Sequence, residues 1–447
     1  MQSFILSVIV ILLLSASSAR CYAAESKAET PWKPHVVRQL NGGAAVIRIP
    51  AKLQIVTEPW KRVVVVPYLV YMPEKDRLLM SVACDRPLHP MVLSSDDGGA
   101  TWSKPRDAGA WIGLTYLGNG KVMAAAKWSD DYGETWRSFP SPPHPNVAQL
   151  PEGETWNPWS WDPLLVDKDP NTGKVVCLVE TGYTYREANP KGWIRSQGYI
   201  GFSADEGRTW TAALKIPQWQ GVNEVALIRA RNGDLIGACR TDMPEKFMNE
   251  IDHYSGLGVS ISKDNGHTWS KLNMLYQWGR HHPSMVLLPS GDLVMTYVVR
   301  AGYVRAANGF PQFGIEAVVS RDHGQTWDLD HRYLLHTWQG NRNSSTKEWG
   351  GPQEWWAGSQ ATSSVLLPGG TILTAFGTGY RSEPTAERNQ PSPMDVGLVQ
   401  WRVGDQPLNG DRTIRDAPFD SDLRNVVDPA TIKSRSTPGG SNALDTH

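Results

Sequence analysis

The chain has 447 residues, of which 20% are charged, and its formal net charge is −1 at pH 7. The near balance of 44 basic and 45 acidic residues gives no indication of a strongly charged partner such as nucleic acid or an anionic membrane surface. The 20 tryptophans exceed what an ordinary core needs, so we expect some of them to line a sugar-binding site.

The N-terminus has the pattern of a secretory signal. An apolar run from Phe4 to Leu14 precedes small residues, and cleavage after Ala23 fits the small side chains there. The run is too short to span a bilayer as a helix. A lipid anchor on Cys21 is the alternative, which Arg20 fits poorly. We therefore predict that residues 1–23 are removed and that the mature protein is secreted or periplasmic, without membrane insertion.

The remaining cysteines predict neither disulfides nor a metal centre. Cys84, Cys177 and Cys239 are odd in number and follow no metal-ligand spacing. We expect each to be a small buried residue. No residue pattern indicates a metal or an organic cofactor, so the sequence predicts none.

Paired β-rich runs around a turn follow one another along the chain, which is typical of antiparallel hairpins. Six such pairs begin at Pro67, Trp111, Asp162, Glu224, His282 and Ala361. Long insertions rich in aromatic residues interrupt them, and loops of this kind commonly carry binding sites. The insertions are Thr155–Pro163, Thr184–Trp193 and Gly340–Trp356.

Five copies of the pattern Ser-x-Asp-x-Gly-x-Thr-Trp follow the first five pairs. They are Ser95–Trp102, Ser129–Trp136, Ser203–Trp210, Ser262–Trp269 and Ser320–Trp327. In a tight turn Asp accepts backbone N–H bonds, Gly takes a positive φ, Ser and Thr bond local backbone groups, and Trp buries an apolar face. Repetition at intervals of tens of residues predicts an array of one supersecondary unit.

These turns are Asp-box repeats, and the chain resembles the sialidase superfamily of β-propellers. The resemblance implies an all-β, six-bladed β-propeller over residues 24–404, with the Asp-box hairpins remote from the active site. The sixth blade lacks this turn, and its third strand is predicted at Val396–Val403. Ala44–Pro50 is expected to close the ring as its outer strand. Residues 405–447 are polar, and we expect a disordered tail there.

In a propeller the inner strands begin around a central tunnel, so their first residues converge. Aligning the blades on their turn glycines predicts which residues these are: Trp111, Asp162, Glu224, His282 and Ala361. Acid, base and nucleophile would then be available in one site. Asp162 could instead cap a turn before Pro163.

Sialidases bind the substrate carboxylate with three arginines and use a Tyr nucleophile, an activating Glu and an acid/base Asp. By resemblance, Glu224 is the activating Glu and Arg240, sixteen residues further on, is one arginine of the three. Its planar fork suits a carboxylate, although an inter-blade salt bridge is the alternative. Arg48 resembles the first arginine of the family's Arg-Ile-Pro motif, yet the blade count places it in the outer strand. Arg86 is the other candidate.

Two family residues are missing. No arginine occurs in Phe313–Ser320, where the third is expected, and Arg300 lies nearby but out of register. Ala361 stands where the Tyr nucleophile is expected. A tyrosine from another strand or loop would have to replace it, and the candidates are Tyr183, Tyr303 and Tyr380.

The segment Gly279–Pro283 contains features that sialidases do not need. It is expected to place Arg280, His281 and His282 at the pocket rim. A histidine base beside arginines that neutralise a uronate carboxylate suits a polysaccharide lyase. The two histidines could instead form a hydrogen-bonded pair at the entry of a strand.

The sequence therefore predicts an exported, exo-acting glycoside hydrolase of the sialidase type that removes sialic acid or a related acidic sugar. The predicted catalytic residues are Glu224, Asp162 and His282. The predicted substrate-binding residues are Arg240, Arg86, Arg48, Arg280, Arg300 and Trp111. One alternative is a lyase or hydrolase with a His-centred site, acting on uronic-acid or deoxy-sugar polysaccharides. The other is a propeller that binds glycans without catalysis. An acidic glycan is the only partner predicted, and oligomeric state is left open.

Overall fold

A computed structural model describes residues 32–41, 45–60, 64–84, 89–108, 113–124, 127–138, 155–157, 162–187, 194–247, 252–340, 361–380, 394–404, 408 and 412–418. These residues form 27 β-strands and no α-helix. Short 3₁₀ turns occur at Pro73–Lys75, Glu245–Phe247, Asp252–Tyr254 and Pro368–Gly370. Within the same residues, no helix has the length and apolar character needed to cross a membrane.

The chain begins with a hairpin and continues through four small antiparallel sheets. The hairpin is β1 (Lys33–Asn41) and β2 (Ala45–Ile55). The first sheet is β3 (Val64–Met72), β4 (Arg77–Cys84), β5 (His89–Ser95) and β6 (Arg106–Asp107). The second is β7 (Leu114–Gly118), β8 (Lys121–Ala124), β9 (Lys127–Ser129) and β10 (Arg137–Ser138).

The third small sheet joins β11 (Thr155–Asn157) and β12 (Leu165–Lys168) to β13 (Val175–Glu187), and continues with β14 (Ile194–Ser203) and β15 (Leu214–Gln220). The fourth is β16 (Val222–Arg229), β17 (Leu235–Thr241), β18 (Gly256–Ser262) and β19 (Asn273–Tyr276). The hairpin predicted from Glu224 is therefore confirmed as β16 and β17. The hairpins predicted from His282 and Ala361 belong to the fifth sheet.

The fifth sheet has ten strands. One run is β20 (Arg280–Leu287), β21 (Leu293–Val299), β22 (Gln312–Ser320) and β23 (Tyr333–Gln339). Another is β24 (Thr362–Leu367), β25 (Thr371–Tyr380) and β26 (Met394–Trp401). The hairpin β1–β2 joins them, because β1 pairs with β23 and β2 pairs with β26. The final strand is β27 (Ile414–Pro418), which pairs with β2.

Each sheet packs its apolar face against the next, and the last strands return to the first sheet. Leu78 of β4 shares one buried cluster with Leu373 of β25 and Leu398 of β26. The N–H of Leu69 also donates to Ser363 Oγ at 2.9 Å. Similar clusters join the other neighbouring sheets. Fully burying one such leucine contributes about 1.5–3 kcal/mol, so packing between sheets holds this propeller-like arrangement together.

The five repeated turns make the same hydrogen bonds. In the turn at Ser262, Ser262 Oγ accepts from the N–H of Gly266 at 2.8 Å, and Asp264 Oδ1 accepts from the N–H of Thr268 at 2.8 Å. The other four turns repeat both bonds. Gly266 has a φ of 92°, a conformation that side chains with a Cβ rarely adopt. Each turn therefore closes itself with local bonds.

Strand β2 contains residues 45–50 of the segment Ala44–Pro50 that was predicted to close the ring, but it pairs with β26 further along the strand. Residues 52–55 of β2 pair with residues 397–400 of β26. Thr57 extends the connection, because its Oγ1 donates to Asp395 Oδ1 at 2.7 Å and accepts from the N–H of Val396 at 2.9 Å. Thr57 and Val396, which are 339 positions apart in the chain, are thus held together by a hydrogen bond.

The segment expected to be a disordered tail contains a strand, so that expectation is wrong for residues 414–418. The backbone of β2 around Ala45 and Arg48 extends beyond its pairing with β26. Its unpaired N–H and C=O groups form an edge that another strand can cover. Strand β27 covers it, with Ile414 opposite Arg48 and Pro418 opposite Ala45.

Candidate active site

A cavity of about 240 Å³ lies between the first strands of the sheets. Its walls come from β3, β7, β16, β20 and β24 and from residues 162–166. Tyr68, Asp162 and Thr362 are among its lining residues. Glu224, which follows the first residues of β16, lies beside this cavity and outside its lining.

Glu224 forms the centre of a compact charged cluster. Its Oε2 accepts hydrogen bonds from Arg240 Nη1 at 2.9 Å and from His282 Nδ1 at 2.8 Å. His282 Nε2 lies 3.1 Å from the same Nη1. Because arginine can only donate, Nε2 must be the acceptor and the proton of the neutral imidazole must sit on Nδ1. The geometry therefore defines one tautomer of His282.

Local backbone irregularities orient the side chains of Glu224 and His282. The pairing of β16 with β17 shifts register between Val222 and Val225, and that of β20 with β21 shifts between His281 and Ser284. Such bulges turn a side chain out of the regular alternation and are frequent beside active sites. His282 itself has a φ of 52°, which is unusual for a residue other than glycine.

The cluster also sets the charges of its members. Burial acts to raise the pKa of Glu224, but Arg240 and His282 outweigh it and lower that pKa to about 2. Burial lowers the pKa of His282 to about 4, although Glu224 opposes the shift. At neutral pH Glu224 is therefore ionised and His282 is uncharged.

Asp162 has the opposite behaviour. Burial and the nearby charge of Glu224 raise its pKa to about 8, with Arg240 and the N–H of Val225 opposing. Asp162 is thus mostly protonated at pH 7. Two neighbouring carboxyl groups whose pKa values are pushed apart are the arrangement expected of a proton donor beside a permanent negative charge.

Arg280 is not at the pocket rim, which corrects the prediction from the sequence. Its side chain is 0% exposed, and its Nε lies 3.7 Å from Glu316 Oε2, itself 0% exposed. Tyr297 and Tyr303 donate to the two oxygens of Glu316 at 3.0 and 2.9 Å. Regular alternation would place Arg280 and His282 on the same face of β20, but the register shift between His281 and Ser284 turns His282 away from that face. Arg280 therefore belongs to a buried polar network.

We expect Glu316→Gln to destabilise the fold without touching the cluster of Glu224. Removing the charge leaves Arg280 buried beside a neutral partner, and breaking a buried ion pair costs about 3–5 kcal/mol. Equilibrium unfolding in urea measures the loss. Asp328→Asn is the matched control, because Asp328 pairs with Arg321 on the surface at 3.2 Å, where such pairs contribute roughly 0–1 kcal/mol. Equal losses in the two variants would contradict the assignment.

The remaining predicted residues lie in three settings. His281 and Arg300 are buried, and burial together with Arg300 lowers the pKa of His281 well below its ordinary value. Arg48 lies on the outer strand β2, separated from β24 by β26 and β25. Arg86 and Trp111 lie outside the described residues.

Ala361 is buried immediately before β24, and its methyl side chain offers no nucleophile. Tyr303 is bonded to Glu316, away from Glu224. The sequence did not single out Ser255, whose Oγ accepts from Arg240 Nη2 at 3.4 Å, or Tyr68. Neither carries a motif, since their positions depend on a loop and on a bulge. No group of three potential metal ligands is clustered within the described part of the chain.

Comparison with known proteins agrees with the repeats. Residues 147–356 match the family model described as a BNR repeat-like domain. This confirms the sialidase and BNR-type resemblance predicted from the sequence. None of the curated protein sequences matches this chain.

Several solved structures are similar to this protein. A protein of unknown function from Dyadobacter fermentans is 13% identical, with 76% of this chain and 96% of that chain covered and a TM-score of 0.47. An alpha-L-arabinofuranosidase from Lactobacillus brevis is 12% identical, with coverages of 80% and 97% and a TM-score of 0.41. A Hadza microbial sialidase is 15% identical, with coverages of 80% and 59% and a TM-score of 0.33.

Proposed function

We propose that the protein is an exo-acting glycoside hydrolase of the sialidase type that removes a terminal acidic sugar from glycans. One observation carries the proposal: Asp162 and Glu224 are neighbouring carboxyl groups held in opposite charge states beside Arg240. A protonated carboxyl, an ionised carboxylate and a guanidinium are the groups that hydrolysis of an acidic glycoside requires.

Asp162 is the proton donor in this proposal. It gives its proton to the glycosidic oxygen as the bond from that oxygen to the anomeric carbon breaks. Water then adds to the anomeric carbon, and the proton that it releases returns to the Asp162 carboxylate. A group whose pKa is about 8 can act in both directions near neutral pH.

Glu224 has an electrostatic role. A carboxylate whose pKa is about 2 is a poor proton acceptor, so it is suited to stabilise the positive charge that develops on the sugar ring. Arg240 and His282 both bond to Oε2, while Oε1 has no hydrogen-bond partner in the described part of the chain. That oxygen can therefore face the substrate.

Arg240 is the proposed carboxylate-binding residue. Its side chain is 12% exposed, and Nη1 is held by Glu224 and His282. The planar fork of arginine presents several donors in one plane, which suits the carboxylate of a sialic or uronic acid. Fixing one edge of the fork reduces the entropy lost when a ligand binds the guanidinium.

A lyase acting on uronate-containing or deoxy-sugar polysaccharides is the second candidate. The neutral His282, bonded to Glu224 and strained at a φ of 52°, favours it. Elimination needs a base that removes the proton next to the uronate carboxylate and a cation that neutralises that carboxylate. His282 and Arg240 would supply these functions.

Two further features of the chain are part of the proposal. Counting β20–β23 as one blade and β24, β25, β26 and β2 as another gives six blades with the four small sheets. Residues 1–23, outside the described residues, would direct export to the periplasm or medium. Intact mass of the mature protein would test this processing.

Turnover of a fluorogenic α-sialoside and a fluorogenic β-glucuronide by the mature protein tests the hydrolase. Release of the fluorophore is expected. With an acidic polysaccharide, new reducing ends without ultraviolet absorbance indicate hydrolysis. Ultraviolet absorbance from a 4,5-unsaturated product would instead show that the reaction is elimination. Binding that persists in Glu224→Gln, with no turnover by the wild type, would favour a non-catalytic glycan-binding propeller.

A further inference from the structure

The first inner strand contains the same kind of distortion as the strand that carries His282. Strand β3 shifts its register against β4 between Val65 and Tyr68. Within the shift, Val66 has a φ of 56°. A branched side chain at positive φ is sterically strained, and such strain persists where the surrounding structure enforces it, frequently at functional sites.

The distortion places Tyr68 in the central cavity. Its side chain is 3% exposed, and it lines the cavity together with Asp162. Burial, followed by the charges of Asp162, Glu224 and Tyr183, raises the pKa of Tyr68 well above its ordinary value. Tyr68 therefore shares the cavity wall with Asp162 and keeps its hydroxyl proton.

The Tyr68 hydroxyl differs from those of other tyrosines around the tunnel. Tyr71 donates to Asp76 at 2.7 Å, and Tyr303 donates to Glu316 at 2.9 Å. Within the described part of the chain the Tyr68 hydroxyl makes no hydrogen bond, and it is not among the fully enclosed polar atoms without a partner. A phenol in this position is a donor that a bound molecule can use.

We propose that Tyr68 donates a hydrogen bond to an oxygen of the sugar bound between Asp162 and Glu224. This inference rests on the proposed function. Tyr68 is a donor and not a nucleophile, since burial and the negative charge of Glu224 oppose formation of a phenolate. It therefore does not take over the covalent role of the tyrosine missing at Ala361, and hydrolysis proceeds without a tyrosyl–sugar bond.

Tyr68→Phe tests the proposal, with Tyr71→Phe as the matched control. Tyr71 lies on the same strand and also borders the cavity, but its hydroxyl donates to Asp76 in the exposed turn between β3 and β4. On the substrate that the wild type accepts, we expect Tyr68→Phe to lower kcat/KM about 100-fold, the effect of losing one donor to a transition-state oxygen. Tyr71→Phe should match the wild type, and both should keep the wild-type unfolding temperature.

Two results would overturn the proposal while leaving the hydrolase intact. One is equal activity of Tyr68→Phe and Tyr71→Phe. The other is a covalent adduct on Tyr68, found by mass spectrometry after incubation with a fluorinated glycosyl fluoride of the accepted sugar. The second result would make Tyr68 a nucleophile.

Binding separates failure of this inference from failure of the proposed hydrolysis. Titration calorimetry with sialic acid and with glucuronic acid needs no turnover. If the wild type binds either acid but hydrolyses nothing, a roughly tenfold weaker Kd in Tyr68→Phe than in Tyr71→Phe supports the contact. Equal Kd values, or no binding of either acid by an inactive wild type, would overturn it.

Discussion

Replacing Glu224 by Gln is expected to lower kcat/KM about 10³-fold, the upper range for removing one electrostatic contribution to a transition state. The change keeps the shape of the side chain but removes the charge that faces Arg240 and His282. The positive charge on the reacting sugar then loses its stabilising partner. The measurement is initial-rate kinetics on the fluorogenic substrate that the wild type hydrolyses.

Glu206→Gln is the control for this variant. Glu206 lies in one of the repeated turns and pairs with Lys121 at 2.7 Å, away from the cluster. It should retain wild-type kcat/KM. A Glu224→Gln variant with activity within a few-fold of Glu206→Gln would remove Glu224 from the mechanism and leave the lyase or binding alternatives.

The second large effect is on the pH profile. Asp162 donates a proton only while protonated, and its pKa is raised to about 8. The rate should therefore be level at neutral pH and fall as the pH rises through about 8. In Asp162→Asn no proton can be donated, and we expect a loss of about 10²–10⁴-fold, the usual contribution of general acid catalysis. The alkaline limb should disappear with it.

Asp162 also makes a prediction about stability. Its folded pKa lies above the ordinary value of an aspartate, so folding favours the protonated form. The contribution of Asp162 to stability must then decline as pH rises from about 4 toward 8. Asp162→Asn should lack this decline. Its free energy of unfolding, relative to that of the wild type, should therefore be higher at pH 8 than at pH 5.

Asp169→Asn provides the comparison for both measurements. Asp169 accepts hydrogen bonds from the N–H groups of Asn171 and Thr172 in an exposed turn, and these bonds lower its pKa. Its substitution should leave the alkaline limb in place. An unchanged limb in Asp162→Asn would show that another group supplies the proton.

Much of the fold could be predicted from the sequence because hairpins depend on residues that are close together in the chain. Antiparallel hairpins follow from alternating β-rich runs and turn glycines, and β16, β17, β20, β21, β24 and β25 appear where these patterns predict. Strand β26 overlaps the predicted Val396–Val403, and β2 pairs with it through residues 52–55, just after the predicted closing segment Ala44–Pro50. Such features are set by residues close to one another in the chain or by repetition.

The register of the repeats also predicted that Glu224 and His282 lie close together. In the structure they contact each other, and Arg240 contacts both. Their catalytic roles stay predictions. Sequence alone could not give Asp162 and Glu224 different charge states. Those states depend on burial and on neighbours from other sheets, which no local pattern encodes.

What the sequence by itself determined was therefore the repeated hairpin, the all-β class and the residues at the strand starts. Only the tertiary structure decided which side chains face the tunnel. Arg280 and His282 are two residues apart, yet Arg280 is sealed beside Glu316 and His282 reaches Glu224. The distorted starts of β3 and β20 produce such differences. They arise from packing between sheets, which holds a strained backbone that the chain would not adopt alone.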